Sequence, residues 1–255
     1  MKNLFDLSGK TAIVVGGGTG LGRGMAAGLA GAGAAVVIAS RRMEILRRTA
    51  AEIEAETGGR VIPMRLDISS VSEIREFVAR VGEQLGRIDI LINSAGINIR
   101  KTALEFEEDD WDKVLDTQLK YVFFMDQAVG KYMAEHQTPG RIIHVGSLTS
   151  AIGLKNMVAY GAAKGAILQL TKALANEWAQ YGICVNAIGP GYYRTEMTEP
   201  LLKNPDIVRK YEEKIPMARL GVPQDLATTA VYLASEYSSY VTGQMIYVDG
   251  GWLVN

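Results

Sequence analysis

The sequence predicts an α/β fold: a single doubly wound domain in which about seven parallel strands carry helices on both faces. Two observations predict it. Short, continuously apolar segments alternate with longer segments of helical spacing along all 255 residues, and continuous apolar runs are typical of strands buried on both faces. Because helices separate successive strands, neighbouring strands are expected to run parallel through crossover connections. We therefore expect one domain over residues 1–255.

The strand candidates each end in, or are followed by, Gly, Ser, Asp or Asn. In chain order they are TAIVV (11–15), AAVVIAS (34–40), RVIPMRLD (60–67), RIDILINSAG (87–96), GRIIHVGS (140–147), GICVNAIGP (182–190) and GQMIYVDGG (243–251). Helical spacing is clear in LGRGMAAGLAGAG (21–33), SVSEIREFVARVGEQLG (70–86) and GAILQLTKALANEWAQYG (165–182). These elements alternate in the order that a doubly wound sheet requires.

The least regular stretch, residues 189–221, holds four of the seven prolines and follows a strand candidate. Ligands of open α/β sheets bind beyond the carboxyl ends of the strands. We therefore expect this stretch to be a lid over a substrate.

Composition excludes several classes of protein. The net charge is −1 and no basic stripe is present, which argues against a nucleic-acid partner. No apolar run approaches the ~20 residues that a membrane helix needs, and the N-terminal segment does not resemble a secretory signal. The lone Cys184 permits no internal disulfide and is expected to be a packed thiol. These features fit a cytoplasmic protein, and no metal site is expected.

A glycine-rich turn follows the first strand. VVGGGTGLGRG (14–24) has six glycines in eleven residues, and it lies where a dinucleotide pyrophosphate rests on a helix N-terminus. Gly16, Gly20 and Gly22 have the spacing G-x-x-x-G-x-G, which differs from the common G-x-G-x-x-G. A nucleotide site is the functional interpretation, and a glycine-rich turn without a ligand is the alternative.

The end of the second strand indicates which nucleotide binds. An acidic residue there commonly holds the ribose 2′-hydroxyl of NAD, but this chain has Ser40, Arg41 and Arg42. A guanidinium matches a 2′-phosphate, so the sequence favours NADP, with NAD less expected. A solvated arginine pair is the alternative. Asp67 is expected to accept a hydrogen bond from the adenine amino group, and NSAG (93–96) to pass beneath the adenosine.

Three residues further along point to proton transfer. Tyr160 and Lys164 are one helical turn apart in YGAAK, so their side chains share a face. An ammonium beside a phenol is expected to lower the phenol pKa, which suits a general acid or base. Ser147 ends a strand thirteen residues upstream, where its hydroxyl is expected to hold the substrate oxygen.

Together these motifs resemble the short-chain dehydrogenases/reductases, and the resemblance covers essentially the whole chain. It implies a Rossmann fold and hydride transfer between a nicotinamide and a secondary alcohol or ketone. It also implies that Lys164 holds the nicotinamide ribose, that Thr195 bonds the carboxamide, and that Pro190 and Gly191 shape that turn. The cofactor residues expected are Gly16, Gly18, Thr19, Gly20, Leu21, Gly22, Ser40, Arg41, Arg42, Asp67, Ile68, Asn93, Ala95, Gly96, Tyr160, Lys164, Pro190, Gly191 and Thr195.

Two positions depart from the family pattern. Ser94 stands where the family usually has a second asparagine. Gln118 stands where the family has the asparagine that helps hold a water in the proton relay, so we assign it to the catalytic set with Ser147, Tyr160 and Lys164. The longer amide either holds a displaced water or only packs and bonds locally.

NSAGINIRKTALEF and the C-terminal SSYVTGQMIYVDGGWL resemble the gluconate 5-dehydrogenases and their sugar-acid relatives. Such a substrate carries a carboxylate, and the candidate cations are Arg100, Lys101, Lys155 and Arg194. We favour Arg100, and expect Ser147, Tyr160 and Tyr192 beside it at the substrate.

Other activities remain open. They are reduction of a 3-ketoacyl thioester or small ketone, a redox-neutral dehydratase or epimerase, and a non-catalytic NADP-binding redox sensor. The family resemblance also implies a homotetramer. The C-terminal YVDGGWLVN is expected to pack either across a twofold axis or on its own subunit.

Overall fold

The computed structural model describes residues 4–196 and 198–254, the side chains of Pro200 and Leu201 excepted. Within these residues, seven strands form one parallel sheet in the order β3-β2-β1-β4-β5-β6-β7. The strands are β1 Thr11–Val15, β2 Ala35–Ser40, β3 Val61–Arg65, β4 Ile90–Asn93, β5 Arg141–Val145, β6 Cys184–Pro190 and β7 Met245–Val248. Each lies inside a strand candidate, so the predicted doubly wound fold is confirmed.

Helices connect the strands. The α-helices are α1 Gly20–Gly31, α2 Met43–Thr57, α3 Val71–Leu85, α4 Glu108–Leu115, α5 Tyr121–Glu135, α6 Val158–Trp178, α7 Glu199–Leu202, α8 Pro205–Glu212 and α9 Gln224–Ala234. A π-helical turn, Asp116–Lys120, joins α4 to α5. Across the described residues, none of the helices is both long and apolar enough to span a bilayer.

The sheet buries apolar side chains on both of its faces. Along β1 the side chains alternate, so that Ala12 and Val14 pack with α1, α2 and α9, whereas Ile13 and Val15 pack with α3 and α5. The chain winds outward from β1 to β3 and then crosses to β4 on the other side of β1. Such a change of direction opens a crevice at the carboxyl ends of the strands on either side.

The segment 189–221 forms a folded excursion rather than an extended loop. Its two ends are joined, because Gly221 N donates to Tyr192 O at 2.9 Å and Arg194 N donates to Gly221 O at 3.0 Å. It contains α7 and α8 and a small apolar cluster of Leu202, Ile215 and Leu220, against which Trp252 also packs. The excursion therefore begins at the carboxyl end of β6 and returns to it through these bonds.

Candidate active site

The larger of the two cavities described here has a volume of about 500 Å³ and lies at the carboxyl ends of β1 to β4. Parts of the chain that are far apart in sequence meet there, from the glycine-rich turn to the segment after β6. The predicted residues that line it are Gly16, Gly18, Thr19, Gly20, Leu21, Gly22, Ser40, Arg41, Arg42, Asp67, Ile68, Ala95, Gly96, Gln118, Tyr160, Lys164 and Thr195.

The glycines after β1 are required by close backbone contacts. Gly16 has φ +78°, and a Cβ there would lie 2.7 Å from Ala95 N, while a Cβ at Gly22 would lie 2.2 Å from Gly16 O. Gly20 begins α1, and Thr19 makes no side-chain cap to the first turn of that helix. The amide groups of that turn are thus free of a side-chain cap at the cavity wall, which fits a pyrophosphate.

The two arginines at the end of β2, Arg41 and Arg42, are exposed and make few interactions. Arg42 Nη2 lies 4.0 Å from Glu196 Oε2, and both side chains are mostly exposed, so this pair contributes little. Arg41 has no ion pair among the described residues. Nearby, Asp67 Oδ1 accepts hydrogen bonds from Ser69 Oγ at 2.7 Å and Ser69 N at 3.0 Å. These bonds, with a smaller effect of the Arg41 charge, lower the pKa of Asp67.

Asn93 is positioned differently from expectation. Its Nδ2 donates to Asp126 Oδ1 at 2.7 Å, Asp126 Oδ2 lies 2.9 Å from His144 Nε2, and His144 Nδ1 lies 2.8 Å from Thr171 Oγ1. All four residues are buried. Because its amide is held by Asp126, the Asn93 side chain does not line the large cavity, and Ser94 and Ala95 do. The network ties β4 and β5 to α5 and α6.

Sequence reasoning missed this network, although a signal existed. His144 interrupts the apolar strand β5 and Asp126 lies in the mostly apolar helix α5. Burial raises the pKa of Asp126, while the neighbouring His144 and Asn93 act in the opposite direction. Pro190 also differs from expectation, since it is the buried last residue of β6 and lines neither described cavity.

The catalytic candidates meet at the carboxyl end of β5. Tyr160 and Lys164 share a face of α6, with Lys164 Nζ 5.6 Å from the centroid of the Tyr160 ring. The helix begins at Val158, seven residues before the candidate segment 165–182, and so contains both residues. Ser150 Oγ donates to Lys164 O at 2.8 Å and accepts from Ser147 N at 3.2 Å. This hydroxyl links the Ser147 turn to α6.

The predicted lowering of the Tyr160 pKa is wrong for this structure. Burial raises the pKa of Tyr160, and the Ser147 hydroxyl and the Arg100 charge offset only part of that effect. Burial also lowers the pKa of Lys164 from 10.5 to about 7. The lysine ammonium donates to Val145 O at 2.7 Å rather than to the phenol. Desolvation is therefore the largest cause, and the charge that offsets part of it is that of Arg100 rather than that of the Lys164 ammonium that the sequence spacing suggested.

Gln118 lies in the π-helical turn and is only 1% exposed. Its Nε2 donates to Ile97 O at 2.6 Å. A Cβ at Gly96 would lie 2.6 Å from Gln118 Nε2, so glycine at 96 makes room for the amide. Gln118 Oε1 is buried and has no hydrogen-bond partner among the described residues. The amide therefore holds the chain after β4 and keeps one acceptor unused.

The smaller cavity, of about 320 Å³, adjoins Tyr160 on its other side. Of the four candidate cations, Arg100 lines it, and the Arg100 charge acts on the phenols of both Tyr160 and Tyr192. Lys101 instead pairs with Asp110. The lining residues are Asn98, Arg100, Ser147, Leu148, Leu154, Met157, Tyr160, Gly191, Tyr192 and Thr198.

An aromatic cluster borders this smaller cavity. The Tyr192 ring stacks on Tyr211 of α8 at 4.1 Å and lies 4.7 Å from the Trp252 ring, centroid to centroid. Burial, with Tyr211 beside it, raises the pKa of Tyr192 to about 12. Sequence reasoning assigned Tyr192 but missed Tyr211, and it left open where the C-terminal residues pack. Trp252 packs on Tyr192 and Tyr211 of the same chain.

Comparison with known proteins gives consistent matches over almost the entire chain. Residues 16–253 match a family model described as enoyl-(acyl carrier protein) reductase. The 2-dehydro-3-deoxy-D-gluconate 5-dehydrogenase of Dickeya dadantii is 42% identical over 254 residues, covering 98% of each chain. The gluconate 5-dehydrogenase of Gluconobacter oxydans is 38% identical over 253 residues, covering 99% of this chain and 98% of that one.

A solved structure shares the fold closely. The gluconate 5-dehydrogenase of Burkholderia cenocepacia, crystallised in complex with NADP and tartrate, superposes with a TM-score of 0.94. It is 35% identical and covers 99% of this chain and 98% of its own.

Proposed function

This chain belongs to the short-chain dehydrogenase/reductase family, and we propose that it transfers a hydride between NADP and the secondary hydroxyl or keto group of a sugar acid. The substrate class follows from the similar enzymes, which are named for the 5-positions of gluconate and 2-dehydro-3-deoxy-D-gluconate. We propose that the same position reacts here.

One observation carries this proposal. Arg100 lines the same cavity as Ser147 and Tyr160, and it has no ion-pair partner among residues 4–196 and 198–254. A guanidinium in the cavity wall matches a carboxylate, while the serine and tyrosine that line the same cavity suit a carbonyl or hydroxyl oxygen. A hydroxy acid or keto acid has both groups.

The larger cavity fits NADP, which, when bound, supplies or accepts the hydride. We propose that the glycine-rich turn holds its pyrophosphate and that Arg41 and Arg42 hold its 2′-phosphate. Asp67 would accept from the adenine amino group. Asn93 contributes indirectly, because its buried amide supports the chain that continues into Ser94 and Ala95.

The reaction on the substrate side is a proton transfer. In reduction, Tyr160 donates its phenolic proton to the carbonyl oxygen as that oxygen becomes a hydroxyl, and in oxidation the phenolate accepts the proton back. Ser147 donates a hydrogen bond to the same oxygen. Lys164, whose lowered pKa of about 7 keeps it near its titration point at neutral pH, replaces the proton on Tyr160 through an intervening hydroxyl or water.

We further propose that residues 189–221 close over the substrate as a lid within a single domain of residues 1–255. Two features support the lid. Tyr192 and Thr198 line the smaller cavity, while Thr195 and Glu196 line the larger one. We also propose a cytoplasmic homotetramer acting on a small molecule, without a nucleic-acid or membrane partner.

The test is a substrate panel read by NADPH absorbance, with gluconate, 5-ketogluconate, 2-dehydro-3-deoxygluconate, neutral polyols and 3-ketoacyl thioesters. We expect turnover of the sugar acids. Arg100→Ala should raise KM for sugar acids by about tenfold or more, with little effect on a neutral polyol. Arg100→Lys, the matched control, should retain part of the affinity. Preference for a thioester, or an equal loss on neutral polyols, would overturn the proposal.

A further inference from the structure

The turn after β7, residues 249–254, is held in shape by a single carboxylate. Asp249 Oδ1 accepts a hydrogen bond from Gly251 N at 2.9 Å, and Asp249 Oδ2 accepts one from Leu253 N at 3.0 Å. Because both carboxylate oxygens bond backbone N–H groups of the turn, the position of Trp252 between those two residues is fixed as well.

The same turn is seated on the far end of the excursion 189–221. Met217 N donates to Gly250 O at 3.1 Å. Gly250 has φ +67°, and a Cβ there would lie 2.6 Å from Ile215 Cγ2. Only glycine permits so close a contact in that backbone conformation, so the turn and the excursion form one packed unit.

At the near end of the excursion, both chain neighbours of Tyr192 are bonded to the end of β7. Gly191 N donates to Val248 O at 3.2 Å, and the Tyr193 hydroxyl donates to the same oxygen at 2.9 Å. The backbone around Tyr192 is therefore held in place, and the direction of its ring is left to side-chain packing.

Two aromatic rings pack against Tyr192. Tyr211 lies 4.1 Å away with nearly parallel rings, and Trp252 lies 4.7 Å away at 53°. Each such pair is equivalent to about two- to tenfold in an equilibrium constant, which is enough to decide between rotamers. Tyr192 lines the smaller cavity, whereas Trp252 lines neither of the two cavities described.

We infer that Trp252 is a positioning residue for substrate binding, which fixes the Tyr192 ring in the wall of the smaller cavity. The inference rests on the proposed function. A ring that is already in place loses less entropy on binding than one that must be ordered, so Trp252 should act on KM. The chemical step should be unaffected, because Ser147 and Tyr160 belong to other elements of the fold.

The experiment measures KM and kcat separately, at saturating cofactor, with whichever compound of the substrate panel the wild type turns over fastest. Trp252→Ala should raise KM about three- to tenfold and leave kcat within about twofold. Trp252→Phe keeps a ring and should recover most of the wild-type KM. In a Tyr192→Ala background, Trp252→Ala should raise KM by less than about twofold, because both residues act through the same ring.

Val254→Ala is the matched control, since that side chain lies in the same turn and is 86% exposed. It should leave KM and kcat unchanged, and the melting temperature of each variant confirms folding. The inference is overturned if Trp252→Ala leaves KM unchanged or lowers kcat as much as it raises KM. It is also overturned if Trp252→Phe behaves as Trp252→Ala does, or if the two KM effects multiply fully in the double variant.

Failure of the proposed function would be seen separately. A fastest substrate without a carboxylate would overturn the proposed function, and the KM comparison would still decide the role of Trp252 on that substrate. Absence of turnover with every compound of the panel would overturn both.

Discussion

Replacement of Gln118 by alanine tests whether its amide does more than pack. The change removes the hydrogen bond from Nε2 to Ile97 O and leaves that carbonyl unpaired. An unsatisfied buried group costs about 1–3 kcal/mol. In a domain of this size each kcal/mol shifts Tm by about 2–4 °C, so Gln118→Ala should melt roughly 2–12 °C below the wild type.

The rate separates the two roles that the sequence left open for Gln118. Gln118 lines the cavity that Tyr160 and Lys164 also line, and its buried Oε1 has no partner among the described residues, which leaves an acceptor for a relay water. We expect Gln118→Ala to lower kcat about tenfold, the equivalent of one hydrogen bond. A solvent isotope effect on kcat should accompany the change if relay protons move in the slow step.

Two further variants distinguish volume from polarity. Gln118→Leu keeps most of the volume and should lose the rate as Gln118→Ala does, whereas Gln118→Glu keeps an acceptor and should retain more of it. Steady-state kinetics at saturating cofactor, paired with thermal melting of each variant, give the measurement. A lowered Tm with unchanged kcat in Gln118→Ala would refute the relay and leave packing as the role.

Three other predictions follow from the same site. Arg41→Asp should weaken NADP binding by about tenfold or more and leave NAD binding unchanged, as measured by cofactor titration. Arg47→Asp, which lies outside the cavity, is the control and should leave NADP binding unchanged. Equal effects of Arg41→Asp on both cofactors would contradict the assignment of Arg41 to the 2′-phosphate. Tyr160→Phe should lower kcat by about 10²–10⁴-fold with cofactor affinity intact, and retention of most of the rate would remove Tyr160 from the mechanism. Burial lowers the pKa of Lys164 in the folded protein from 10.5 to about 7. Between these two pH values the unfolded chain therefore binds more protons than the folded one. The free energy of unfolding should rise with pH over this range, by at most about 1.4 kcal/mol per pH unit. Lys164→Met should flatten this slope in denaturant unfolding at pH 7 to 10, and an unchanged slope would show that Lys164 is not its source.

The fold followed from the sequence because its signals are local and repeated. Most strands, such as Thr11–Val15, are largely apolar runs, and such runs form buried strands wherever helices cover both faces. The glycine turn is similar, since Gly16 and Gly22 allow contacts that any Cβ would prevent. Tyr160 and Lys164 share a helical face because of their spacing alone.

Side-chain direction and burial could not be read in the same way. Asn93 ends a strand beside the larger cavity, yet its amide turns to Asp126, a residue 33 positions along the chain. The sequence pattern of β4 does not show toward which neighbour the Asn93 amide turns. Its buried partner, Asp126, decides that direction.

What the sequence by itself determined was therefore the order of elements, the glycine-rich turn after β1 and the shared helical face of Tyr160 and Lys164, all of which depend on contacts within a few residues or on periodicity. The tertiary structure alone decided the ionisation of that pair and the shape of the substrate cavity. Burial of Lys164 and Tyr160 shifts their pKa values in directions that spacing does not reveal. Asn98 and Tyr192 line one cavity only because β4 and β6 end at the same edge of the sheet, and desolvation acts through such long-range packing.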